Sequence, residues 1–229
     1  MGTLNTILAA ALSLCCGAFM ALFLRAFERE AYRRAVWLKG LASLCFVTLG
    51  LRFCRISGDR FSKLVLGGLH LGLLGDVLLA LRYVYAQRHD PLFLAGALSF
   101  AVGHALYLTA LFGSGAPAWG VTLAFLAMGL AASAVYSKKR RVDAGRFQAA
   151  GMGYIALVVF LAAVACAVAV RRGSVGALLF ALGGVNFAVS DNLLCAYCYG
   201  SARRTSVNWA VHVTYYAAQL LIAWSILWI

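Results

Sequence analysis

Apolar residues in this chain come in long unbroken blocks separated by short polar connectors, with none of the strict alternation a half-buried strand requires. Eight such blocks can be read, at about 3–24, 35–54, 62–85, 91–112, 117–136, 151–170, 174–197 and 208–229. Each approaches or exceeds the roughly 20 helical residues that cross a hydrocarbon core of about 30 Å. A helix satisfies its own backbone in lipid, whereas a membrane strand would alternate lipid-facing and inward residues. The expected fold class is therefore all-α: a polytopic membrane protein of eight transmembrane helices, forming one domain over residues 1–229. The two prolines, Pro91 and Pro117, fall at the starts of the fourth and fifth blocks, where a missing N–H costs least. The longest connector, about 137–150, is too short and polar to fold alone.

Composition supports the same reading. The 229 residues are 64% hydrophobic and 12% charged, with a mean hydropathy of +0.89, more apolar surface than a soluble domain of this length can hide. The net charge of +13 suggests nucleic acid, but the basic residues sit in short loops rather than on one folded face, so no nucleic-acid partner is expected. The first, third, fifth and seventh loops hold 13 of them, among them Arg33, Arg34, Lys138, Lys139, Arg140 and Arg141, against six in the even loops. By the positive-inside rule the odd loops are expected to be cytoplasmic, with both termini on the opposite side. The first block lacks a basic leader and is read as a retained helix rather than a signal peptide. Gly2 formally fits an acylation pattern but adjoins a membrane span and is discounted. The chain ends at Ile229 without a retrieval signal, and a bacterial inner membrane is favoured over the endoplasmic reticulum. The seven cysteines, all within or at the ends of spans, are expected to be buried small hydrophobes. Cys195 and Cys198 lack the further ligands a zinc site needs, so neither metal nor cofactor is expected.

Five of the seven acids lie in loops; Asp76 and Asp191 lie inside the third and seventh spans. An ionised carboxylate inserted alone at a helix centre costs about 2.5–3.5 kcal/mol, so a membrane chain that keeps one there is expected to use it. The two surroundings resemble each other. A small residue precedes each acid (Gly75, Ser190) and a Leu-Leu pair follows, and the acids are 115 residues apart (191 − 76). Phe100 and His104 in the fourth span align with Tyr215 and Gln219 in the eighth at that same offset. This suggests a four-plus-four internal repeat, with parallel halves because four is even.

Phe100, His104 and Tyr107 share one face of the fourth span, and His212, Tyr216 and Gln219 one face of the eighth. Together with the two acids they read as the lining of one cavity. Gly68, Gly72, Gly75, Gly183 and Gly184 precede the acids by one or two turns and are expected to permit close helix packing. Asn186 and Asn192 have no clear placement.

At these residues the chain resembles the lysoplasmalogenase family of multi-spanning membrane proteins. The resemblance lies in GDVLL around Asp76, Phe100-His104-Tyr107, GALLF…SDNLL ending past Asp191, and TYYAAQLLIA in the last span. Lys39 resembles a lysine of that family at the start of span two, although Ala42 stands where the family often has proline. The resemblance implies an enzyme that hydrolyses the vinyl ether of 1-alkenyl lysophospholipids, with lysophospholipid, water and membrane lipid as its partners. It further implies Asp76 and Asp191 as catalytic acids, one protonated and one ionised, with Lys39, His104, Tyr107, Ser190, Tyr215, Tyr216 and Gln219 contacting substrate. Two other classes fit intramembrane acids. An intramembrane aspartyl protease would carry a complete G-x-G-D and a Pro-Ala-Leu segment, which this chain lacks. A proton-coupled carrier would be expected to show broken helices.

Overall fold

The structure is a computed structural model and describes residues 3–227; Gly2 and the last two residues of the eighth expected span lie outside them. Eight helices follow one another: α1 (Thr3–Glu28), α2 (Tyr32–Ser57), α3 (Arg60–Leu81), α4 (His89–Gly113), α5 (Trp119–Lys139), α6 (Gln148–Arg172), α7 (Val175–Tyr199) and α8 (Thr205–Ser225). Single 3₁₀ turns, Ala86–Arg88 and Gly145–Phe147, lead into α4 and α6. All eight expected helices are present, and most outlast their apolar blocks, because charged residues at a membrane boundary continue a helix without difficulty. α3 and α8, which ends at Ser225, stop short of their blocks, and α3 does so in a defined turn. α3 ends at Leu81, four residues before its block does, in a turn where Val84 and Tyr85 donate to the Leu81 carbonyl.

Seven helices are long and apolar enough to cross a membrane, and the chain is a polytopic membrane protein. Among the described residues α8 is outside that group by composition. Its asparagine, histidine, glutamine, two threonines and two tyrosines lower its mean hydropathy, and of these Asn208, Tyr215, Tyr216 and Gln219 lie on its buried face.

The helices form two compact units, residues 1–107 and 108–229, with the division inside α4. In the first, α2 packs against both α1 and α3. Ala35, Lys39, Ala42, Phe46, Leu49 and Phe53, spaced three or four apart, form its buried face. In the second, α7 packs against α6 and α8, and α5 against α6.

The internal geometry of the two units repeats at a constant spacing. Adding 115 to the residues of α1, α2, α3 and α4 gives those of α5, α6, α7 and α8 to within a few positions. The corner after α2 is left-handed Gly58 followed by Asp59, which caps α3 by accepting from the Ser62 N–H at 2.7 Å. The corner after α6 is left-handed Gly173 followed by Ser174, which caps α7 through the Ala177 N–H. Left-handed residues also recur before α2 and α6, at Glu30 (φ 57°) and Gly145 (φ 53°). A Cβ on Gly68 would strike the Tyr107 ring; a Cβ on Gly183, 115 residues on, would come within 2.7 Å of Ile222, likewise 115 beyond Tyr107. The spacing seen around the two aspartates therefore runs through capping, turns and helix packing, with no insertion in either half.

Candidate functional site

Asp76 lies on the buried face of α3 and is 1% exposed. Gly75 beside it leaves room for α4, since a Cβ there would meet the Phe100 ring at 2.6 Å. Across from Asp76, α2 presents two residues one turn apart. The Lys39 ammonium is 3.2 Å from Asp76 Oδ1, and the Ser43 hydroxyl donates to Oδ2 at 2.6 Å. Both carboxylate oxygens are thus met by donors inside the unit, one of them cationic. Charge-assisted bonds of this kind are shorter and stronger than neutral ones, and here they oppose the large cost of burying the charges. Lys39 is also 5.4 Å from the Phe23 ring centroid on α1, so its stem and head are held from both sides. Close by, the Cys16 thiol on α1 donates to the Ala42 carbonyl at 3.2 Å.

The other members of the first set lie on α4. His104 is 1% exposed, and its ring stands edge-on to Tyr107 at 6.2 Å. Tyr107 is itself buried, with its ring covering Gly68.

In the second unit Asp191 is 6% exposed on the buried face of α7. Its surroundings differ from those of Asp76. Tyr154 on α6 lies near its carboxyl, its oxygen Oδ2 is buried without a hydrogen-bond partner, and no ion pair to it exists among the described residues. Ser190, Tyr215, Tyr216 and Gln219 are buried in the same unit. Ser190 donates to the Val211 carbonyl at 2.9 Å and ties α7 to α8. Gln219 donates to the Tyr215 hydroxyl at 3.1 Å. Tyr215 stands edge-on to Phe187 at 5.4 Å and to Tyr216 at 5.0 Å.

Lys39, Asp76, His104 and Tyr107 thus belong to the first unit, and Ser190, Asp191, Tyr215, Tyr216 and Gln219 to the second. Other polar groups resolve into local roles. Asn186, Asn192 and His212 each bond a carbonyl four residues back on their own helix, which is how short polar side chains satisfy themselves within a span. Of the cysteines, Cys16, Cys45 and Cys54 are buried as expected and Cys166, Cys195 and Cys198 half-buried. Cys15 is exposed, a correction: one residue before Cys16, it is turned about 100° around α1 from the α2 contact that covers Cys16.

Two site residues escaped the sequence reading. Ser43 is signalled by its place four residues after Lys39, on the same helical face. Tyr154 is signalled by the repeat spacing itself (154 − 39 = 115).

Residues 34–226 match the sequence model of the YhhN family, from the start of α2 to the end of α8. Neither a curated protein nor a solved structure matches the chain.

Proposed function

Because this chain belongs to the YhhN family, which includes lysoplasmalogenase-like proteins, we propose that it is a lysoplasmalogenase using Asp76 and Asp191 as its catalytic carboxyls. The observation that carries this reading is the buried Lys39–Asp76 ion pair completed by Ser43. A polar cluster of this cost is retained inside a span when it is used.

The chemistry suits these groups. A vinyl ether is activated by protonation at the alkenyl carbon remote from the oxygen, which converts R–CH=CH–O–R′ to the oxocarbenium ion R–CH₂–CH=O⁺–R′. Water adds to the cationic carbon, gives up a proton to a base, and leaves a hemiacetal. The hemiacetal collapses to the aldehyde R–CH₂–CHO and the alcohol HO–R′, here a glycerophospho-ethanolamine or -choline. The net change is the addition of one water. The sequence needs one carboxyl that holds a proton and one that is ionised. Asp76, with an ammonium and a hydroxyl donating to its two oxygens, has the surroundings of the ionised group. Asp191, with a phenol and no cation, has those of the proton donor. Lys39 supplies, besides its hold on Asp76, a positive charge of the kind that attracts a phosphate head group.

The test is aldehyde release from a 1-alkenyl lysophospholipid by the purified protein, with the saturated 1-alkyl analogue as control. Release from the first and none from the second is expected. Gradient-driven uptake into liposomes without aldehyde release, or peptide cleavage instead of it, would overturn the reading.

A further inference from the structure

Charge is not shared evenly between the two units. In the second, the α5–α6 and α7–α8 connectors are joined by main-chain bonds. The Asp143 N–H donates to the Tyr199 carbonyl at 3.0 Å, and the Ser201 N–H to the Arg140 carbonyl at 2.8 Å. Gly200 permits this approach, since a Cβ there would stand 2.7 Å from the Arg140 carbonyl oxygen. The joined loops carry Lys138, Lys139, Arg140, Arg141, Arg203 and Arg204, with Arg146 beside them. Their one acid, Asp143, accepts from the Gly145 N–H at 2.9 Å, and no ion pair to those six cations exists among the described residues. Counted back 115 residues, Lys138, Lys139 and Arg141 correspond to Phe23, Leu24 and Ala26, while Glu28, the counterpart of Asp143, is joined by Glu30.

We propose that this basic platform binds the phosphate of an anionic phospholipid, with Arg140 as its anchor. Half-buried Arg140 holds its guanidinium 5.5 Å from the Tyr136 ring, and its Nε is buried without a hydrogen-bond partner, so the group is seated but unsatisfied. A phosphate accepts two parallel N–H bonds from such a fork and brings the negative charge the loops lack. Arg141 follows α5 in the left-handed conformation, φ 51°, where glycine or asparagine is usual because a Cβ is strained there. The backbone gains nothing from an arginine at that position; its charge is what it adds. Lipid is favoured over a free anion by the span that ends at the platform. On α5, Met128 and Val135 share one face and are 61% and 67% exposed, which gives acyl chains a surface beside the head group. Juxtamembrane clusters of about four to eight cations attract anionic lipid in this way. The positive-inside rule accounts for the sign of the loops, but not for their main-chain union or for a left-handed arginine. The inference is independent of the hydrolase reading.

Thermal melts of the full-length protein test it in nanodiscs of phosphatidylcholine in which phosphatidylglycerol is stepped from none to half. The wild type is expected to melt higher as phosphatidylglycerol rises, because a ligand of the folded state stabilises it by mass action. In Arg140→Gln the phosphatidylglycerol needed for a given shift should rise about fivefold, the loss of one juxtamembrane cation. Arg25→Gln, the same change 115 residues earlier at an exposed position, should respond as the wild type does. Arg141→Gly relieves the left-handed strain and removes a charge. It should melt above the wild type in pure phosphatidylcholine yet gain less from phosphatidylglycerol. If Arg140→Gln fails to fold, Lys138→Gln/Lys139→Gln, at two exposed positions, takes its place with the same expected loss. No shift in the wild type, or one that Arg25→Gln reduces as much as the platform variant does, would overturn the proposal. So would an equal shift from inorganic phosphate or a DNA oligonucleotide added to phosphatidylcholine discs, since the ligand would then be a soluble anion.

Discussion

Lys39 Nζ stands 3.2 Å from Asp76 Oδ1, and both side chains are removed from solvent, 10% and 2% exposed. The pair joins α2 to α3 and accounts for a lysine within one span and an aspartate within the next. Removing either member strands the other. Lys39→Met is expected to destabilise the protein by about 3–5 kcal/mol, the usual result of leaving a buried charge unpaired. The double variant Lys39→Met/Asp76→Leu should regain most of that loss in a thermal melt while releasing no aldehyde. Recovery of activity together with stability would show the pair to be structural only.

Asp191→Asn keeps the size and shape of the side chain. It is therefore expected to fold with an unchanged melting profile and to release aldehyde at least a hundredfold more slowly, the lower range for loss of a general acid. Comparison of melting and turnover in one preparation checks this. Normal turnover would remove Asp191 from the catalytic set.

Helix approach in the first unit depends on the absence of a side chain at Gly75, whereas Gly17 faces open space. Gly75→Ala places a Cβ 2.6 Å from the Phe100 ring and is expected to cost about 1–3 kcal/mol by overpacking. Gly17, with nothing within 4 Å of its would-be Cβ, should accept alanine with a gain of up to about 1 kcal/mol from helix propensity. Denaturation of the two variants side by side in one detergent gives the contrast.

Asp59 caps α3 from outside the span. Desolvation alone would raise its carboxyl, but hydrogen bonds from Ser57 and Ser62 and the nearby Lys63 outweigh it and hold the group below its ordinary value. A carboxyl lowered by folding contributes stability above its unfolded pKa of about 3.9 and loses it as pH falls through the lower folded value. Melts taken from neutral to acid pH should show that loss in the wild type and a flatter profile in Asp59→Asn, which retains the cap without the charge. Asp59→Ala should lose about 1 kcal/mol at neutral pH, with the charge-dependent part screened by solvent.

Much of this was legible in the chain. The block lengths set the number and type of the helices, because lipid leaves the backbone no alternative to internal hydrogen bonding. The 115-residue spacing was already visible in two aspartates and two residues of the following helices, and it recurs in corners, caps and packing contacts. Asn186 and Asn192 could not be assigned, because helical spacing alone does not distinguish a residue facing a neighbour from one bonded to its own backbone.

Residue by residue, the division is physical. The linear sequence by itself determined that Asp76 and Asp191 are costly, that they occupy equivalent places in two related halves, and that Lys39 lies within a span. Those facts depend only on composition, order and spacing. Tertiary structure alone decided what each acid faces, because a partner on another helix is set by packing and rotation about the helix axis. That packing puts Lys39 and Ser43 on Asp76 and leaves Asp191 without an ion pair among the described residues, so equivalent positions in the sequence became electrostatically different groups in the fold.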